Sequence, residues 1–352
     1  MPGGIADPMI GVGVVGYGYW GPLLARNLAA VAGIRVIAIC DSDPDGRALA
    51  AANHASATVT DRIDDLLVDP AVDAVAIATP AATHYGLTRR CLDAGKHVLI
   101  EKPLAATSGE AATLTAQARK RGLVLLVDHT FLYSHAVEAI AEAIANGELG
   151  ELRYFDSVRT NLGRFRSDVD VLWDLASHDL AIIDALFPQA PTTVQATGFA
   201  RQDGTPHELA YVTLRWGASR IAHIHVSWLT PIKIRRTLIG GSRAMIVWDD
   251  IDPDTKVRFY DVGAGTSPAD ADPRHLRTAY RRGEMRAPWL PVGEPLGNLA
   301  SHFVDCIVNG REPRSGGASG RRVIRLLEAT RASIEQGGMP IVLDSSAENA
   351  TA

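Results

Sequence analysis

The chain has 352 residues, 47% of them hydrophobic and 21% charged. At roughly 150 residues per domain this predicts about two domains, each with a real core, and it excludes wholesale disorder. A formal net charge of −5 offers no broad positive surface to a phosphate backbone, so nucleic acid is not an expected partner. Cys40, Cys91 and Cys306 stand far apart. That spacing argues against a disulfide framework and a cysteine zinc site, no metal is expected, and a reducing, cytoplasmic compartment is the simpler expectation. Residues 1–8 lack the charged and apolar regions of a secretion signal, and no run of 18 apolar residues exists, so no membrane partner is expected. Five of the 35 basic residues are lysines: Lys96, Lys102, Lys120, Lys233 and Lys256. A role that needs an amine able to lose its proton therefore has few candidates.

From Ile10 to about Thr130 short apolar runs alternate with helical stretches. Ile10–Val15, Val36–Cys40, Ala74–Ala78, Val98–Ile100 and Val124–Val127 are continuously apolar, as strands buried on both faces are. The intervening helices are predicted over Pro22–Val31, Pro44–Asn53, Asp61–Leu67, Thr83–Ala94 and Ser108–Arg121. Repeated βαβ units give a doubly wound parallel sheet of the Rossmann type.

After residue 130 the rhythm changes. A helix is predicted over Ser134–Asn146. Longer β-type runs follow at Leu152–Asn161, Val194–Ala200, Glu208–Trp216, Arg220–Trp228, Ile232–Ile239, Ala244–Trp248 and Val257–Tyr260. Several alternate apolar and polar residues, as a large antiparallel sheet with one covered face does. A helix over Val171–Phe187 interrupts them, and helices over Pro295–Asn309 and Gly320–Gln336 close the chain. The expected domains are residues 9–130 and 131–345. Val262–Pro291 reads as a long loop with five arginines, Arg274, Arg277, Arg281, Arg282 and Arg286. Such a loop is either a solvated excursion or a contact for an anionic substrate or partner subunit.

Four groups of residues carry chemistry. Gly16-Tyr17-Gly18-Tyr19-Trp20-Gly21 follows the first strand and opens the first helix. There Gly16 permits the tight turn, Gly18 lets backbone approach a pyrophosphate, and Gly21 permits close helix–strand packing. Gly11-x-Gly13-x-x-Gly16 fits the same pattern, but would put its glycines inside the strand. Asp41 lies 20 residues past Gly21 at the end of the second strand, where an acid accepts from a ribose diol and repels a 2′-phosphate. NAD is therefore expected as cofactor ahead of NADP, with nearby Arg47 pulling the other way. Tyr19 and Trp20 either flank the cofactor or simply pack.

Glu101-Lys102-Pro103 closes the fifth strand, at the sheet edge where doubly wound folds bind ligands. A lysine there can move a proton or hydrogen-bond a developing alkoxide; the same triplet can also be a plain surface turn. Asp174 and His178 stand four apart on the predicted helix and so share a face. An imidazole suits removal of a hydroxyl proton, although an Asp–His pair at this spacing is also a common surface pair. His223 and His225 share one strand face and, lacking a third ligand, read as packing residues.

Together, Gly16-x-Gly18-x-x-Gly21, Ala78-Thr79-Pro80-Ala81-Ala82-Thr83-His84, Glu101-Lys102-Pro103 and Asp174-x-x-x-His178 resemble the Gfo/Idh/MocA oxidoreductases, over residues 10 to about 343. The resemblance implies an N-terminal Rossmann domain and a C-terminal α/β domain whose mostly antiparallel sheet supplies an oligomer interface, in a homodimer or homotetramer. It implies Lys102, Asp174 and His178 as the catalytic set, and a cofactor site that includes Thr79, Pro80, His84, Glu101 and Lys102. Further stretches, His129-Thr130-Phe131-Leu132-Tyr133, Asn161-Leu162-Gly163-Arg164, Leu172-Trp173-Asp174 and His225-Val226-Ser227-Trp228-Leu229, resemble a branch that oxidises position 3 of UDP-sugars or amino-sugar antibiotics. Ser177 and Phe165 depart from that branch's pattern.

By the resemblance, Tyr133, Asn161, Arg164 and Trp173 are candidate substrate contacts. The implied function is NAD-dependent oxidation of a secondary hydroxyl, at C3 of a hexose, to a ketone. The alternatives are a 3-ketosugar reductase, an inositol 2-dehydrogenase, an NAD-dependent glycosidase, and a non-catalytic dinucleotide-sensing regulator.

Overall fold

In the computed structural model of the protein, residues 9–163, 169–202, 204–261, 263–266, 278–281 and 283–343 are described. They fall into two compact units. The first takes the described residues up to Ser134 together with Gly293–Arg325; the second takes those of His135–Val292 together with those from Leu326 onward.

The first unit opens with β1 (Ile10–Val15), α1 (Gly21–Ala30), β2 (Ile34–Cys40), α2 (Pro44–Asn53), β3 (Thr58–Thr60) and α3 (Ile63–Val68). It continues with β4 (Ala74–Ile77), α4 (His84–Asp93), β5 (His97–Glu101), α5 (Ser108–Arg121) and β6 (Leu125–Asp128). All six strands are parallel, in the order β3-β2-β1-β4-β5-β6. The order reverses between β1 and β4, which sets a ligand crevice at their carboxyl ends. Residues of β1 and β4 are buried throughout, which is why they read as unbroken apolar runs. Local chemistry fixes the helices. Asp43 caps α2 and Thr107 forms a capping box with Glu110 on α5, which stops at the left-handed Gly122. The strand β3 was not expected; it has three residues, none of them buried, so it leaves no apolar run to read.

The second unit holds α6 (His135–Ala145), β7 (Leu152–Leu162), a π-helical turn (Leu172–Ala176) running into α7 (Ser177–Leu186), and β8 (Thr193–Phe199). Then come β9 (Leu209–Trp216), β10 (Arg220–Ser227), β11 (Leu229–Gly241), β12 (Met245–Asp249) and β13 (Val257–Tyr260). Three short strands follow, β14 (Gly263–Thr266), β15 (Thr278–Arg281) and β16 (Met285–Arg286). The chain closes with α8 (Pro295–Asn309), α9 (Gly317–Glu335) and β17 (Ile341–Val342). Nine strands form one sheet, β16-β13-β12-β11-β7-β10-β9-β8-β17. Only β7 and β10 pair in parallel, so the fold class read from the sequence, a Rossmann sheet plus a mostly antiparallel one, is the one observed.

Alternation decides which face of the larger sheet is covered. Ala210, Val212 and Leu214 of β9 are buried with Ala222, Ile224 and Val226 of β10, while Tyr211 is exposed. Val262–Pro291, expected as a loop, instead contains the β14–β15 pair, and β16 pairs with β13. Ladder hydrogen bonds supply there what the Gly- and Asp-rich composition conceals. Of its arginines, Arg281 lies on β15, and Arg286 pairs with Glu148 and stacks 3.9 Å over Phe259. Arg274, Arg277 and Arg282 lie outside the described residues. In the first unit α8 packs on α1, joined there by Arg26 and Asn27 bonding to Glu294, 2.5 and 3.2 Å.

Candidate active site

The first unit carries the nucleotide end. Gly16 sits at φ +91°, and a Cβ there would stand 2.6 Å from the Ala78 carbonyl oxygen. A Cβ on Gly21 would stand 2.1 Å from the Gly16 carbonyl oxygen, whereas one on Gly18 would meet nothing within 4 Å. Two of the three glycines thus close the turn, and the third borders open space beside the start of α1. That is the arrangement a pyrophosphate needs to reach backbone N–H groups. In the competing frame the glycines meet neighbouring chain: a Cβ on Gly11 would stand 1.8 Å from the Ala71 carbonyl oxygen and one on Gly13 2.7 Å from Leu66 Cδ2. These are strand glycines that let neighbouring chain approach.

Asp41 ends β2's run toward the same crevice. Its Oδ2 accepts the Tyr17 backbone N–H and its Oδ1 that of Asp43 at 2.7 Å. Each oxygen keeps a lone pair for a ribose hydroxyl. Arg47 Nη1 donates to the backbone carbonyls of Asp41 and Ser42, both at 3.0 Å. Tyr19 and Trp20 are exposed and meet edge to face at 5.3 Å. Past β4, Thr79 and Thr83 share a hydroxyl hydrogen bond of 2.7 Å, and Pro80 is exposed. The buried His84 ring lies 2.9 Å from the Thr79 carbonyl and 2.6 Å from that of Pro103. A neutral ring donates to only one of them. Burial nonetheless outweighs both contacts and lowers its pKa. His84 thereby sits between the loop after β4 and the turn after β5, bonded to one of them.

That turn holds Lys102, half-buried, followed by a cis peptide to Pro103. Glu101 accepts the Lys102 backbone N–H at 3.2 Å and is the register partner of Asp128 on β6. Both carboxyls are buried. Burial first, then the Asp128 charge, holds the Glu101 carboxyl well above the usual range, and burial raises Asp128 too. Thr130 donates to Asp128. His129, also buried, is pushed down to about 3 by burial and by the Lys102 charge. Sequence reasoning gave Asp128 no role; an acid ending an apolar strand beside the Glu-Lys-Pro edge was the available signal. Tyr133 was expected to touch substrate. Its side chain is buried, and its hydroxyl meets Ser315 Oγ at 2.7 Å, which in turn donates to the Val127 carbonyl at 2.6 Å. Burial pushes this phenol up to about 12.

The second unit carries the imidazole. The expected plain α-helix begins instead with a π-helical turn, closed by the Ser177 N–H reaching back five residues to Leu172 O. Asp170 caps it: Oδ1 accepts from Leu172 and Trp173 N–H at 3.1 Å, and Arg331 reaches Oδ2 at 3.2 Å. Asp174 lies within this turn and His178 in the first turn of α7; both are half-buried. Trp228 Nε1 donates to Asp174 Oδ2 at 3.1 Å, a contact between residues 54 apart that the sequence did not reveal. One residue past His178, Asp179 is buried with Arg159 of β7 in a bidentate pair at 3.0 and 3.1 Å, and Ser157 adds a third bond at 2.9 Å. Asn161, at the end of β7, and Trp173 are half-buried. The Trp173 indole nitrogen finds no hydrogen-bond partner among the described residues. Arg164 and Phe165 lie outside the described residues. His223 bonds Thr213 at 3.1 Å, and His225 stacks on Tyr211 at 4.5 Å. Among the described residues no three His, Cys, Asp or Glu side chains gather to hold a metal, and no helix is long and apolar enough to cross a membrane.

Two family models match successive parts of the chain. Residues 10–129 match the "Oxidoreductase family, NAD-binding Rossmann fold" model of Gfo/Idh/MocA proteins, and residues 137–247 match the "GFO/IDH/MocA C-terminal domain". A UDP-N-acetylglucosamine 3-dehydrogenase of Acidithiobacillus ferrooxidans is 29% identical over 325 residues, 92% of this chain and 96% of its own. A solved structure of that enzyme, GnnA, superposes with a TM-score of 0.80 at 28% identity, covering 93% and 98% of the two chains. The NADP-dependent scyllo-inositol 2-dehydrogenase IolW of Bacillus subtilis is 27% identical over 265 residues, 69% of this chain and 70% of its own. GenD2 of gentamicin A biosynthesis, solved with NAD, shares the fold at a TM-score of 0.80 and 24% identity, over 97% and 99% of the chains. Matches to both domain models, over residues 10–129 and 137–247, lead to one conclusion: the chain belongs to the Gfo/Idh/MocA family of NAD-binding oxidoreductases and is a dehydrogenase.

Proposed function

We propose that the enzyme oxidises the C3 hydroxyl of a nucleotide-linked hexose to a ketone, with UDP-N-acetylglucosamine as the first substrate to try. The observation that carries the reading is the end-to-end likeness to an enzyme of that name, on a chain that has Lys102, Asp174 and His178 at the positions its own motifs single out. His178 accepts the hydroxyl proton as the carbon is oxidised. Lys102 hydrogen-bonds the same oxygen as negative charge develops on it, and Asp174 fixes the hydroxyl beforehand. NAD, when bound, supplies the hydride acceptor at nicotinamide C4. Gly16, Gly18, Gly21 and the N-terminus of α1 would hold its pyrophosphate and Asp41 its ribose diol, with Tyr19, Trp20, Thr79, Pro80, His84 and Glu101 around the rest. Asp41 favours NAD over NADP, and Arg47, engaged with two backbone carbonyls, does not oppose it. Asn161, Arg164 and Trp173 contact the sugar nucleotide, and Arg164 suits its phosphates; Tyr133 braces the site from within. Residues 9–130 act as the nucleotide domain and the region 131–345 supplies the substrate domain, its segment Gly293–Arg325 belonging to the first unit, in a cytoplasmic homo-oligomer joined through the nine-stranded sheet.

The test is NADH formation at 340 nm with a panel of UDP-sugars, aminoglycosides and inositols. The reading expects UDP-N-acetylglucosamine to be among the best substrates, with its ketone at C3. Faster turnover of inositols than of every nucleotide sugar would place the enzyme with the cyclitol dehydrogenases, and no NADH with any of them would remove the reading.

A further inference from the structure

The geometry points to Trp228 as the positioning residue that sets the orientation of the Asp174 carboxylate; the catalytic consequence rests on the role proposed for Asp174. Trp228 stands between β10 and β11, and its backbone is held on both sides. Its N–H donates to the Glu208 carbonyl at 2.8 Å, and its carbonyl accepts from Gly163 N–H at 3.1 Å. The ring is 1% exposed, and a Cβ on Gly163 would stand 2.6 Å from its Cδ1. Gly163 therefore lets the Trp228 side chain approach the chain just past β7 more closely than any side chain at 163 would allow.

An indole has one donor and no acceptor. Here that donor is aimed at Asp174 Oδ2 at 3.1 Å. The torsion that swings an aspartate carboxyl is broad and weakly restrained, so a half-buried Asp174 needs an outside group to choose its orientation. The backbone beneath it is already fixed, since Asp174 N–H donates to Asp170 O at 3.1 Å and Asp170 caps the turn. A large apolar ring would fill the same space against Gly163; the indole adds to that packing an N–H donor to the carboxylate. Trp228 thus leaves the plane of the carboxyl facing one way before substrate arrives, which is the preorganisation a positioning group supplies.

Trp228→Phe keeps the ring and removes the donor. In the full-length enzyme with NAD, it should lower kcat/KM for UDP-N-acetylglucosamine about tenfold, the scale of one hydrogen bond to a charged group. In an Asp174→Ala background, which has no side-chain acceptor, the same change should cost less than twofold. An equal loss in both backgrounds would mean that Trp228 only packs, and would overturn the proposal. A second readout needs no turnover. The indole N–H resonance of Trp228, assigned as the one missing from Trp228→Phe, should shift when Asp174 becomes Ala; an unmoved resonance would show that the contact does not exist. If no sugar is oxidised, the functional reading fails, while the indole resonance still decides whether Trp228 orients Asp174.

Discussion

Asp41 closes onto the glycine turn itself: its Oδ2 accepts the backbone N–H of Tyr17, the residue between Gly16 and Gly18. The acid expected to read the ribose therefore also holds the loop expected to take the pyrophosphate. Asp41→Ala should weaken NADH binding by tenfold or more, since it removes hydrogen bonds to a charged group worth about 1.5–3 kcal/mol. NADPH should lose less, because a 2′-phosphate no longer faces a carboxylate. Fluorescence titrations with both nucleotides check this, and an unchanged ratio of the two affinities would remove the ribose argument.

Gly18 and Gly21 should separate binding from folding. Gly18→Ala adds a methyl where nothing lies within 4 Å, so its melting temperature should stay at the wild-type value while NAD affinity falls. Gly21→Ala drives a methyl to 2.1 Å from the Gly16 carbonyl oxygen and should destabilise the first unit by roughly 1–3 kcal/mol. Thermal melts without nucleotide, paired with NADH titrations, distinguish the two.

Arg159 and Asp179 form a buried bidentate pair beneath the helix that carries His178. Arg159→Ala leaves a carboxylate buried without its counter-charge and should cost about 3–5 kcal/mol. Replacing both residues by apolar ones of similar volume should cost less than the single change. Urea unfolding of wild type and the two variants measures this; a single variant as stable as wild type would contradict it.

His129 is buried, and its pKa is pushed down to about 3 from the ordinary 6.5. The unfolded chain then binds the proton and the folded chain does not, so stability rises with pH between those values and falls as pH drops from 6.5 toward 3. His129→Gln should reduce that slope by about 1.4 kcal/mol per pH unit between pH 4 and 6. Chemical unfolding at three pH values gives the slope, and identical slopes in variant and wild type would refute the buried neutral imidazole.

What could be read in advance follows from the physics of each feature. The parallel strands were legible because burial on both faces makes them uniformly apolar, and the glycine turn because backbone geometry at Gly16 and Gly21 admits no side chain. The second sheet was legible from alternation in β9 and β10. The strand β3 was not, because three partly exposed residues leave no pattern. Nor could the sequence show that α8 packs on α1, since both helices are ordinary amphipathic stretches and nothing local names their partner. The π-helical turn before His178 escaped because its distinguishing bond, from Ser177 to Leu172, differs by one residue from that of an α-helix. At the candidate site, residue types indicated Lys102, Asp174 and His178, but the groups that hold them in place did not announce themselves. The Trp228–Asp174 and Arg159–Asp179 contacts link residues 54 and 20 apart, and the Glu101–Asp128 pair depends on strand register.

The most direct measurement of the central claim uses UDP-N-acetylglucosamine carrying deuterium at C3, with the mass of the reduced cofactor as readout. The account predicts that the label moves to the nicotinamide, that turnover slows with the deuterated sugar, and that Lys102→Ala and His178→Ala each abolish most of the transfer. Reduced cofactor free of deuterium, or transfer at wild-type rates in both variants, would contradict it.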